Sequence, residues 1–132
     1  MKRKVKFRGK SKKTGEWLYG DLVRNVEGTF AIVPPPFQMT TDNYCDRYEV
    51  VDNTIGQFTG LFDTNGKEIY EGDIVLNGGC QYMAVDFRES KSAFVMFVIG
   101  SEEMWYPLNH FVSVFGNIHD SFGWKHLNCT TL

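Results

Sequence analysis

One pattern occurs twice in this chain, and it constrains the fold more than any other feature. Phe7-x-Gly9 leads to Thr14-Gly15 and then to Tyr19-Gly20-Asp21-Leu22-Val23. Phe58-x-Gly60 leads to Asn65-Gly66 and then to Tyr70-Glu71-Gly72-Asp73-Ile74-Val75. The Phe, the first two glycines and the Tyr recur at an offset of 51 residues. The Gly-Asp pair recurs at 52, because Glu71 is one residue extra. Aromatic residues alternating with turn glycines favour short paired strands. Two copies therefore predict two similar β units built by one local recipe.

The surrounding periodicity agrees. Residues 3 to 9 alternate, with Val5, Phe7 and Gly9 on one face and Lys4, Lys6 and Arg8 on the other. That is the period of a half-buried strand with one cationic face. Ser11 to Gly15 then reads as a turn and Glu16 to Tyr19 as the return strand of a hairpin. Gly20-Asp21 and Gly72-Asp73 each predict a tight bend in which the short carboxylate accepts backbone N–H bonds. Asn65-Gly66 is a strong hairpin signal. Phe58 and Tyr70 would face each other across that hairpin, and Gly60 predicts a bulge or a close backbone approach. Pro34-Pro-Pro36 ends the strand at Thr29–Val33. Residues 37 to 47 read as a loop, and residues 107 to 111 suggest a short helical turn.

No segment carries a long helical period. About ten short strands separated by turns predict an all-β protein, either a sandwich or a small barrel. The expected units are residues 1–55 and 56–132, and the strand spacing of the second resembles an SH3-like barrel. With 42% hydrophobic and 15% aromatic residues, 132 residues suffice to bury a core. About 55 residues alone would be marginal, so the units are expected to share one. No apolar run approaches the roughly 20 residues of a membrane helix. The basic N-terminus lacks the apolar stretch of a signal peptide. The expectation is a cytoplasmic protein with no membrane association.

Three longer stretches carry a resemblance. The first runs Phe7-Arg-Gly-Lys, then Thr14-Gly-Glu-Trp-Leu-Tyr-Gly-Asp-Leu22. The second is the block from Gly56-Gln-Phe-Thr-Gly-Leu to Lys67-Glu-Ile-Tyr-Glu-Gly-Asp-Ile-Val75. The third is Val114-Phe-Gly-Asn-Ile-His119. Together they resemble the YopX family of phage and prophage proteins over nearly the whole chain; Val33 to Tyr48 matches no part of the pattern. The resemblance implies an all-β fold, an SH3-like C-terminal barrel and a phage or prophage origin. It implies no activity and supplies no catalytic residues.

The residues themselves offer little for catalysis. Cys45, Cys80 and Cys129 form no Cys-x-x-Cys pair, and their odd number suits reduced thiols. His110, His119 and His126 fall at no ligand spacing, and His119, His126 and Cys129 match no zinc pattern. Phosphate-loop, dinucleotide and nucleophile-elbow motifs are absent. Asp63, Glu68, Glu71 and Asp73 would have to converge on a pocket to support a small carboxylate-dependent hydrolase. Solvated hairpin charges are the ordinary reading of such residues. The expectation is a non-enzyme with no catalytic residues, no cofactor and no metal.

Charge is the remaining clue. Residues 2 to 13 carry Lys2, Arg3, Lys4, Lys6, Arg8, Lys10, Lys12 and Lys13 and no acid. The other six basic residues face all sixteen acids, which leaves the rest of the chain ten charges negative. A basic arm on an acidic body attracts nucleic acid, an acidic protein surface or a second copy of the chain. Lys4, Lys6, Arg8, Lys10, Lys12 and Lys13, with Trp17 and Tyr19 on the next strand, are the candidate contact residues. Cations beside aromatics suit single-stranded nucleic acid. Lysines on a strand also serve simply to deter aggregation. The favoured expectation is a homo-oligomeric interaction or scaffold module, with nucleic-acid binding as the alternative.

Overall fold

The computed structural model describes residues 4–35, 47–78 and 81–120. These residues form ten strands: β1 (Phe7–Lys10), β2 (Trp17–Arg24), β3 (Phe30–Val33), β4 (Gly56–Phe62), β5 (Glu68–Tyr70), β6 (Asp73–Asn77), β7 (Gln81–Arg88), β8 (Ala93–Val98), β9 (Ser101–Pro107) and β10 (Val112–Asn117). Two single-turn 3-10 helices, Asp52–Thr54 and Glu89–Lys91, lie between strands. The predicted helical turn at residues 107 to 111 is not formed: β9 runs through Pro107, and the next four residues are irregular. The loop expected at 37 to 47 lies outside the described residues except for Arg47, as do Lys2, Arg3 and all three cysteines.

The strands make two five-stranded antiparallel sheets, ordered β3-β2-β1-β4-β5 and β10-β6-β7-β8-β9. The fold is all-β, as expected, but the SH3-like barrel is not formed. The second sheet ends in β10 on one side and β9 on the other, and a closed barrel would require those edges to pair. Spacing of short strands is common to sandwiches, barrels and open sheets, so the sequence could not choose between them. By contact the chain divides into Met1–Phe58 and Thr59–Leu132, a boundary inside β4.

In the first unit Ala31, Ile32, Val33, Val50 and Phe58 are buried. Val50 is held by isolated bridges: it pairs with Ser11, while its neighbour Glu49 pairs with Ala31. A Cβ on Gly9 would lie 3.1 Å from the Val50 side chain, so Gly9 makes the room that Val50 fills. The second unit is packed on both faces of its sheet. Ile69, Val75, Met83, Val85, Met96 and Val112 cluster on one side. Ile74, Ala84 and Ile99 cluster on the other, with Tyr82, Phe97 and Ile118 against them. Adjacent residues of β6 and β7 thus point into different clusters, as strand alternation requires.

The two copies of the motif do not behave alike. Gly72 makes the bend, at φ +92°, and the buried Asp73 carboxylate accepts the Tyr70 N–H at 2.7 Å. Gly20-Asp21 makes no bend: β2 runs unbroken from Trp17 to Arg24, with Gly20 opposite Phe7 and Asp21 opposite Val33. Asp21 is exposed, whereas Asp73 is buried. Tyr70 is buried and Tyr19 is not. The second copy has one residue more, Glu71, which forms the turn with Gly72.

Candidate nucleic-acid interface

The face predicted to be cationic is built by the β1–β2 hairpin. Its turn is set locally: the Ser11 hydroxyl accepts N–H bonds from Lys13 and Thr14, both at 3.2 Å, and the Gly15 N–H bonds back to the Ser11 carbonyl. The register then places Arg8 opposite Tyr19 and Lys10 opposite Trp17. Alternation puts Lys6, Arg8 and Lys10 on the same face as Trp17 and Tyr19.

Lys6 and Arg8 lie diagonally over rings of β2, and Lys10 lies over the ring directly opposite it. The Lys6 ammonium is 5.8 Å from the Tyr19 ring centroid, the Arg8 guanidinium 4.7 Å from that of Trp17, and the Lys10 ammonium 5.7 Å from that of Trp17. Each such interaction contributes about 0.5–1 kcal/mol when exposed and about 2 kcal/mol when desolvated. Arg8 is only 5% exposed. Arg8 is thus a buried anchor over Trp17, and Lys6 and Lys10 are half-buried beside it. Tyr19 is 41% exposed. Lys4 and Lys13 are exposed.

Lys12 belongs to a different set. Its ammonium forms an ion pair with Glu49 at 2.6 Å. The hydrogen bond to Glu49 raises the Lys12 pKa above its ordinary value. The Lys12 N–H also bonds the Glu49 carbonyl. Glu49, 37 residues away in sequence, carried no signal that would have identified it. Asp21, expected to stabilise a bend, instead lies by alternation on the Trp17–Tyr19 face of β2 and sets an acid at the end of the row.

Asp63 and Asp73 of the second unit act on backbone. Asp63 is 6% exposed. Its Oδ1 accepts the N–H groups of Asn65 and Lys67, and its Oδ2 that of Val114, all at 2.8 Å. Burial raises its pKa, but the bonds from Val114, Lys67 and Asn65 and the charge of Lys67 outweigh that effect and hold the carboxyl below the ordinary value of 3.8. Asp73 spends an oxygen on Tyr70, and the Glu68 carboxylate accepts the Tyr70 hydroxyl at 2.9 Å. Among the described residues no three His, Cys, Asp or Glu side chains form a group able to hold a metal ion. His126 and Cys129, two of the three residues compared with zinc patterns above, lie outside those residues. No helix among them is long and apolar enough to cross a membrane.

Fold and site together define the class: an all-β protein of two antiparallel sheets whose candidate site is the face of a hairpin. The chain belongs to the YopX family, described as YopX protein, whose model matches residues 6–122. No curated protein matches the chain.

Proposed function

We propose that the chain is a phage or prophage accessory protein that acts in the host cytoplasm by binding rather than by catalysis, and that it binds nucleic acid through the β1–β2 face. One observation carries the reading: Lys6 over Tyr19, and Arg8 and Lys10 over Trp17, alternate cations with rings on one paired scaffold. Side chains two residues apart on a strand are about 6.8 Å apart, so β1 offers charges at a fixed spacing. The rings restrain the long cationic side chains and lower the entropy lost when they meet phosphate. Phosphate binding releases counterions, which makes it strongest at low salt.

The test is fluorescence anisotropy with labelled oligothymidine and with its duplex at low salt. The double variant Lys6→Ala/Lys10→Ala should bind several-fold more weakly. Its plot of log affinity against log salt should be shallower by about 1.4 for the single strand, at about 0.7 for each phosphate that is no longer neutralised. Asp21→Asn should tighten binding, because it removes the acid at the end of the row. No binding of either form at micromolar protein would overturn the reading.

Self-association is the second reading, favoured by apolar side chains of the second unit that stand in solvent. Phe111 is 72%, Phe115 52% and Met104 50% exposed. Exposed aromatics and Met are the residue types enriched at subunit interfaces. Light scattering at rising concentration should then give a mass above the 15.2 kDa of one chain. A constant monomer mass to the limit of solubility removes this reading.

A further inference from the structure

Tyr19 is the residue of the β1–β2 face that distinguishes one nucleic-acid form from another, and we infer that the face prefers single strands. This rests on the nucleic-acid reading above and specifies its ligand. The lysines alone do not discriminate, since both forms carry phosphate. The rings differ in what they offer. Trp17 is half-buried and has Arg8 and Lys10 over it. Tyr19 is 41% exposed and lies two residues further along β2, with Lys6 near its ring.

A base reaches an aromatic ring on a flat strand face only when it is not already stacked and paired. In a duplex the π-faces of the bases are turned inward, so the ring gains nothing. In a single strand a base stacks on Tyr19 while the adjoining phosphates meet Lys6 and Lys10. Stacking on an aromatic side chain is tolerant of sequence, because every base has a π-face. The preference is therefore for strandedness and not for a particular sequence, and single-stranded DNA and RNA share the chemistry that is recognised.

The experiment is a competition on the full chain. Labelled oligothymidine is displaced by unlabelled oligothymidine, by oligouridine, by duplex DNA and by heparin, each matched in charge. Single strands of either sugar should compete at least about fivefold better than duplex, the size expected from one stacked base. Tyr19→Phe should keep the preference, and Tyr19→Leu should bring single-strand affinity down to the duplex level, with a much smaller loss on the duplex, which loses only the ring's restraint on Lys6. Circular dichroism establishes that both variants fold. Equal competition by duplex and single strand overturns the single-strand inference and leaves nucleic-acid binding standing. Competition by heparin equal to that of single strands does the same. A preference unaffected by Tyr19→Leu overturns the role of Tyr19. Failure to bind any probe overturns both this inference and the reading beneath it.

Discussion

Gly20→Ala should destabilise the first unit by about 4 kcal/mol, near the top of the range for single substitutions. A Cβ at this position would lie 2.1 Å from the Val33 carbonyl oxygen and 3.0 Å from the Pro34 Cα. Both are backbone atoms, so no rotamer change relieves the clash. Gly20 also sits at φ +157°, where L residues are rare. The first unit has only a modest set of buried side chains to offset such a loss. Gly66→Ala is the control. Gly66 has φ +83° and nothing within 4 Å of its would-be Cβ, so only the backbone conformation resists and the cost is about 1–2 kcal/mol. Urea unfolding of both variants checks the contrast. Equal losses would show that the Val33 approach is not what makes Gly20 necessary.

Asp63→Ala should cost about 3–4 kcal/mol at neutral pH, because it strands three backbone N–H groups that now bond a buried, charged acceptor. Asp63→Asn should cost less, about 2 kcal/mol: the amide oxygen still accepts from Asn65 and Lys67, while the amide nitrogen meets the Val114 N–H. The pH dependence has a definite sign. The folded-state pKa of Asp63 lies below its ordinary value of 3.8. The unfolded chain therefore takes up the proton first, and the stability Asp63 contributes is complete above that value. It is lost as pH falls from there through the folded pKa. The gap between wild type and Asp63→Asn should accordingly narrow below about pH 4. Urea unfolding across an acid series measures it. A gap of constant size would mean that the carboxylate charge is not what holds this turn.

Much of the site was legible because hairpins are local. Alternation over Lys4 to Gly9 identified the cationic strand, and the turn at Thr14-Gly15 fixed which strand would return beside it. The row Lys6, Arg8, Lys10 beside Trp17 and Tyr19 follows from these two facts. The depth at which Arg8 lies was not legible, since alternation assigns a face and not how much of that face is covered. The capture of Lys12 by Glu49 was hidden for a related reason, the partner being 37 residues away.

The repeat shows where local information ends. By itself the sequence determined an all-β chain and the choice of Gly66 and Gly15 as turn residues, because these depend on φ, on strand period and on neighbours a few residues apart. The sequence supplied the extra residue, Glu71, that forms the turn with Gly72, but only tertiary structure decided that Gly20-Asp21 runs straight, pressed against Val33 by pairing with β3. It also decided that Asp63 is a structural acceptor. Two of its three donors lie within four residues, but the third, Val114, is 51 residues on. It left the second sheet open between β9 and β10. Closure is a property of edges meeting across a sheet, and no spacing of strands along the chain encodes it.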